Sequence, residues 1–297
     1  MARISRALAP LAIFGILAAA GCAGGDVTTA EGTKDDPIKL GVVGASDPYW
    51  AIYEKAVEDA GIDLEIVDFT DYALVNPALA EGDLDINQFQ HIQYLADYNV
   101  HNDDDIQPIG ATAIYPLGLY STKYDSVEEI PDGATVVVPN DTVNQARGLL
   151  VLQKAGLISL KDGGNAASNL QDIEEGSRVE VKALQADLTV TSLEDVAGAI
   201  VNNDFLEAAG LTGGDELIAD DPSDPSALPY VNIFAVRSED VDNETLNKLV
   251  DIYQSSQEVL DSLQEQYGNT AVFSTTPRAE LQDSLKKTET AIASLDK

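Results

Sequence analysis

One feature constrains this chain more than any other. From Ile38 onward, short apolar runs alternate with stretches of helical spacing. A short apolar run bounded by turn signals reads as a buried strand. Apolar residues recurring every three or four positions read as an amphipathic helix. Strands are therefore expected over residues 38–43, 64–69, 84–89, 109–115, 134–138, 179–181, 199–201 and 230–236. Trp50, Tyr53 and Val57 mark a first helix that Gly61 stops, and Asn76-Pro77 reads as a cap followed by a helix-starting proline. A helix through residues 149–155 follows the ATVVV strand, and Asn140 is a candidate for its cap. Two long amphipathic helices are expected at 244–267 and 277–295, the first striped by Leu246, Leu249, Val250 and Tyr253.

Alternation of this kind belongs to the α/β class, with parallel sheets flanked by helices. There are too many strands for one small sheet, so two lobes are expected. The first is discontinuous, 38–120 plus 228–297, and the second is 121–227. The crossings fall near residues 120–125 and 221–228, the latter a proline-rich acidic stretch, DPSDPSAL. Ligands of open α/β sheets sit beyond the carboxyl ends of strands, so the expected site is a cleft where two such ends face one another.

The N-terminus bears on the compartment. Arg3 and Arg6 precede an apolar run over residues 8–20, too short for a ~30 Å bilayer core at ~1.5 Å per helical residue. A basic start, a short apolar run and small residues describe an export signal over residues 1–21. The run leads into Ala19-Ala20-Gly21-Cys22, and Cys22 is the only cysteine. This arrangement resembles a bacterial lipobox, with Cys22 acylated and anchored to the membrane on its extracytoplasmic face. Residues 22–37, small and polar, read as a flexible tether.

Composition excludes several function classes. With 51 acidic residues against 17 basic and a net charge of −34, nothing here could neutralise nucleic-acid phosphates. A single cysteine rules out a disulfide framework and a thiolate metal cluster, and two histidines make a poor transition-metal set. The run Asp103-Asp104-Asp105 lacks the spaced ligands and glycine of a calcium loop. No nucleophile elbow, phosphate loop, dinucleotide fingerprint or zinc-protease motif occurs, so neither an enzyme nor a cofactor is expected.

What remains is a set of polar and aromatic residues at strand ends. Phe89 and His91 follow the third strand, Tyr115 ends the fourth, and Asn144 and Arg147 open the helix after ATVVV. Asn202 follows the strand at 199–201, and Asn232 lies in the strand after the second crossing. Together they suit a zwitterion with an apolar tail. A carboxylate wants a guanidinium fork, an ammonium wants amide oxygens, and the tail wants aromatic walls.

The segment DYALVNPALAEGDLDINQFQHIQYL is similar to the NlpA/MetQ lipoproteins, the methionine-binding components of ABC importers. VPNDTVNQARGLLVLQKAGLISLKDG, SLEDV, VNNDF and YVN follow in the family's order. The resemblance implies a periplasmic-binding-protein-like fold (type II-like), with mixed or parallel sheets, that closes on an amino acid. It implies that Arg147 grips the carboxylate and that Asn202 and Asn232 bond the ligand's backbone ends, with Asn144 as a further candidate. Tyr72, Phe89, His91 and Tyr115 would line the side-chain pocket. The implied partners are methionine and the permease and ATPase of an ABC importer. Gln93, Leu188, Val190 and Thr191 stand where the family reads Pro, Gln, Pro and Arg. Another apolar amino acid, D-methionine or a small methionine peptide therefore stays open as the ligand. A surface lipoprotein without a transport role and a cell-surface hydrolase are the readings from other classes.

Overall fold

The first sheet assembles around β-strands whose centre is buried. A computed structural model describes residues 31–295 of the protein. The signal segment, Cys22 and most of the tether lie outside the described residues. The chain runs β1 (Ile38–Val43), α1 (Pro48–Asp59), β2 (Leu64–Phe69), α2 (Val75–Ala80), β3 (Ile86–His91), α3 (Ile92–Asn102), β4 (Gln107–Ala111) and β5 (Ala113–Ile114). It continues through β6 (Gly118–Tyr120), β7 (Thr135–Pro139), α4 (Thr142–Lys154), β8 (Glu180–Leu184), α5 (Ala186–Thr191), β9 (Gly198–Val201) and β10 (Ile218–Ala219). It ends with β11 (Asn232–Val236), α6 (Glu244–Ser255), α7 (Gln257–Gln266), β12 (Val272–Phe273) and α8 (Arg278–Leu295).

Two five-stranded sheets result, in the orders β2-β1-β3-β11-β4 and β10-β6-β9-β7-β8. The sheets are mixed. In the first, β11 runs antiparallel between β3 and β4; in the second, β6 is antiparallel to β9 and to β10. Both inversions follow from chain that has crossed between lobes and enters its sheet from the opposite end. Helices pack on the sheets, α6 and α8 against β4 and α4 against β7, and β11 and β9 are buried along their whole length.

The chain changes sheet earlier than its composition suggests. β5 still pairs with β12, whereas Gly118–Tyr120, expected in the first lobe, pairs with β9 in the second sheet, so the crossing occupies residues 115–117. The return crossing occupies residues 220–231. The tether reading also ends early. The carbonyl of Gly32 accepts from the amide of Asp63 at 3.0 Å, and Thr33 pairs with Asp36, so docking on β2 begins before Pro37.

Two further expectations differ. Asn76 is no cap: it lies inside α2, buried, and belongs to a side-chain network. The helix expected over 244–267 is two, because Ser256 leaves helical geometry with ψ 102°. The aromatic residues of α1 serve the core. Trp50 and Tyr53 pack with Tyr253 at ring centroid distances of 6.5 and 5.4 Å, within the lobe-1 cluster that also holds Phe234. Burial of such rings stabilises by roughly 1.5–3 kcal/mol each.

Candidate functional site

Between the lobes lies a small cavity of about 20 Å³. All eight residues proposed from the sequence line it: Tyr72, Phe89, His91, Tyr115, Asn144, Arg147, Asn202 and Asn232. Every one of them is buried. Gln90, Tyr94, Pro116, Leu117, Asn203 and Asp204 complete the wall. Leu188, Val190, Thr191 and Gln93, where the chain departs from its resemblance, do not line it.

The wall is rigid because β3 is held from behind. Asn76 donates to Gln90 Oε1 at 2.8 Å and accepts from Gln90 at 2.7 Å, while Asn87 donates to Asn76 Oδ1 at 3.0 Å. These buried amides satisfy one another, which is how a strand reading INQFQH can lie in a sheet interior. Phe89 then stands against Tyr72 and Tyr94, with ring centroids 5.7 Å away in each case, giving an aromatic wall.

His91 ends β3 and caps α3. Its Nδ1 accepts from the amide of Tyr94 at 3.1 Å. With Nδ1 an acceptor, the neutral ring carries its proton on Nε2 and donates it to Asn144 Oδ1, 3.3 Å away. Burial, helped by the nearby positive charge of Arg147, pulls the His91 pKa down to about 3. The ring is therefore neutral at physiological pH. Asn144 is spent at both ends of its amide, since its Nδ2 donates to Asp141 at 3.3 Å. It braces His91 across the lobes and has little left for a ligand. Asp141, rather than Asn140, caps α4.

Arg147 sits in α4 and reaches both crossings. Its Nε donates to Asp220 Oδ2 at 2.5 Å and its Nη2 to Asp220 Oδ1 at 3.1 Å, a fork on a carboxylate. Nη2 also donates to the carbonyl of Tyr115 at 2.8 Å, and the guanidinium lies 4.4 Å from the centre of the Tyr230 ring. The expected carboxylate grip is thus partly committed to the protein itself. Among the described residues Nη1 takes no partner.

Two amides are also unspent. Asn202 Oδ1 is buried with no hydrogen-bond partner, and the side chain of Asn232 makes no bond among the described residues. A buried amide oxygen left unpaired costs roughly 1–3 kcal/mol unless something donates to it.

Asp204 is the residue that sequence reasoning passed over. It accepts from Tyr72 Oη at 2.6 Å and from Asn203 Nδ2 at 2.7 Å. Burial pushes its carboxyl up to about 7, and the negative charge of Asp47 adds to the shift. The Tyr72–Asp204 and His91–Asn144 bonds both cross from lobe to lobe, as do Ser46 to Glu207 at 3.2 Å and Thr142 to Asp97 at 3.1 Å. Gly44 fits this seam. Its φ of +79° is left-handed, and a Cβ there would sit 3.2 Å from the carbonyl oxygen of Asp204.

Two α/β lobes joined by two crossings, with a polar and aromatic cavity between them, define a substrate-binding protein of the kind that serves transporters. The chain belongs to the NlpA lipoprotein family, whose model matches residues 38–275. It is 38% identical over 267 residues to the D-methionine-binding lipoprotein MetQ of Salmonella typhimurium, covering 88% of this chain and 94% of that one. The crystal structure of protein PG110 from Staphylococcus aureus superposes with a TM-score of 0.79 at 34% identity, covering 84% of this chain and 99% of that one. A nutrient-binding protein from Burkholderia cenocepacia, solved bound to methionine, gives a TM-score of 0.73 at 36% identity, covering 80% and 99%. The family's role is binding rather than catalysis.

Proposed function

We propose that this chain is a lipid-anchored, extracytoplasmic solute-binding protein that captures methionine and hands it to the permease and ATPase of an ABC importer. One observation carries the ligand class. Arg147, Asn202 with its orphaned oxygen, and Asn232 all line a cavity that also has an aromatic wall. A free cation donor suits a carboxylate, unpaired amide oxygens suit an ammonium, and a thioether packs on aromatic rings for roughly 0.3–1.5 kcal/mol. Neutral His91 suits the sulfur end, since it brings no charge to be buried. The relatives' name, D-methionine-binding lipoprotein, favours a second reading in which the D-enantiomer binds as well.

The test is ligand-linked stability of ligand-free protein. A ligand at ~100 times its Kd that binds only the folded state adds about 2.7 kcal/mol. L-methionine is expected to raise Tm more than leucine or glutamate, with D-methionine run alongside to rank the enantiomers. No response to any common amino acid overturns the reading. The anchor has its own test. Acyl chains contribute ~0.8 kcal/mol per buried methylene, so Cys22→Ser is expected to move the protein from membrane to soluble fractions. Unchanged membrane retention would count against lipidation.

A further inference from the structure

We propose that Asp204 is the anionic partner of the ligand's α-ammonium, the residue that makes this site select a free amino group. The inference rests on the amino-acid reading and extends it. The cavity's cation is already paired: Arg147 forks onto Asp220, which also accepts from the amide of Leu117 at 2.9 Å. Asp204 is the carboxylate of the cavity wall itself. It is held by two neutral donors, Tyr72 and Asn203. The groups facing it are the hydroxyls of Tyr72, Tyr115, Tyr253 and Tyr267 and the carboxyl of Asp47 at the start of α1, and no cation is among them. Two residues earlier in the chain stands Asn202, more than nine-tenths buried, with its oxygen unpaired in the same cavity. A lone acceptor and a carboxylate bonded only by neutral donors on one wall are what an ammonium with three donors requires.

The environment of Asp204 supports this. Its carboxyl is pushed up to about 7, because no positive charge offsets its burial. An arriving ammonium supplies that charge and favours the ionised form. Binding below neutral pH must then expel the proton. Affinity rises with pH while free Asp204 is protonated and levels off once it is ionised.

The experiment is calorimetric titration of the intact protein with L-methionine and with its α-hydroxy analogue, in buffers of different ionisation enthalpy. For the wild type, close to one proton should leave per methionine bound near pH 6 and almost none near pH 8.5, as a group titrating at about 7 demands. Methionine affinity should rise about tenfold or more between pH 5.5 and pH 8, since each pH unit below the pKa costs about a factor of ten. Binding of the α-hydroxy analogue should be far weaker and show no such rise. Asp204→Asn should flatten the pH profile, lose at least about tenfold for methionine at pH 8, and narrow the gap to the analogue; a buried charge pair lost costs more than that. Wild-type protein that binds methionine without releasing a proton overturns this proposal and leaves the amino-acid reading standing, whether or not the variant folds. An Asp204→Asn protein that keeps the wild-type pH slope and selectivity does the same. Wild-type protein that binds no amino acid at any pH overturns both.

Discussion

Two buried arginines in this protein look alike by exposure and differ in everything else. Arg147 is 7% exposed and Arg237 5%. Arg237, at the end of β11, spends its guanidinium inside one lobe. Its Nη1 donates to the carbonyls of Leu79 at 3.0 Å and Leu84 at 2.5 Å. Its Nη2 lies 2.7 Å from Asp240, close in distance though off hydrogen-bond angle, and 3.9 Å from Asp85. These contacts tie the α2–β3 connection to the exit of β11, and no cavity opens beside them. Arg147 instead bonds Tyr115 in one crossing and Asp220 in the other, stacks on Tyr230, and lines the cavity between the lobes. Burial and charge pairing therefore do not separate the two arginines. The proposed binding role of Arg147 rests on its place in the cavity wall.

The largest expected effect is on Arg237. Removing one partner of a buried ion pair costs about 3–5 kcal/mol, because the other charge is left uncompensated. Arg237→Ala removes the guanidinium beside Asp240 and Asp85 and frees two carbonyls that had a donor. Urea denaturation should show a loss of that size, a large share of the roughly 5–15 kcal/mol by which a domain is ordinarily stable. Whatever protein stays folded should bind methionine as before. A loss under ~1 kcal/mol would break the comparison, since Arg237 would then be no more structural than a surface ion pair.

The sequence made this contrast visible on one side only. Arg147 stood out because it follows ATVVV by a helical turn or two and sits among asparagines, and the resemblance supported it. Its partner Asp220 did not, since 73 positions separate them and Asp220 lies beside a stretch that reads as acidic linker. Asp204 was hidden for a different reason. In a chain with 51 acidic residues, one more carboxylate carries no signal until its burial is known. The apolar strands were plain, because β1 and β7 are buried on both faces and read as continuous hydrophobic runs. The boundary of β3 was missed by two residues, because Asn87 and Gln90 look like loop until Asn76 is seen to satisfy them. The break at Ser256 carries no glycine or proline to announce it. Side-chain types at strand ends were thus enough to gather the wall of the cavity, while the pairing that balances its charge depended on contacts distant in sequence.

The smaller effect on folding, and the sharper one on function, belongs to Arg147. Its removal leaves Asp220 without its fork, but the Asp220 side chain is 27% exposed and can recover water. Arg147→Ala is therefore expected to destabilise the empty protein less than Arg237→Ala does. Binding should suffer differently. The ligand carboxylate would enter a closed cavity with the uncompensated negative charge of Asp220 nearby and no guanidinium between them. Truncating one partner of a buried charge pair costs about 2–5 kcal/mol, or roughly 30- to several-thousand-fold in affinity. Calorimetry with L-methionine should show that loss while circular dichroism shows an unchanged fold. Arg147→Lys refines the point, because a lysine restores the charge without the fork and cannot serve Asp220, Tyr115 and a ligand at once. It should recover part of the affinity. Binding by Arg147→Ala within about threefold of wild type, under ~0.7 kcal/mol, would place the carboxylate elsewhere in the cavity. The two arginines would then be of one kind, both serving the fold, and Asn202 and Asn232 would have to carry the ligand's charged end.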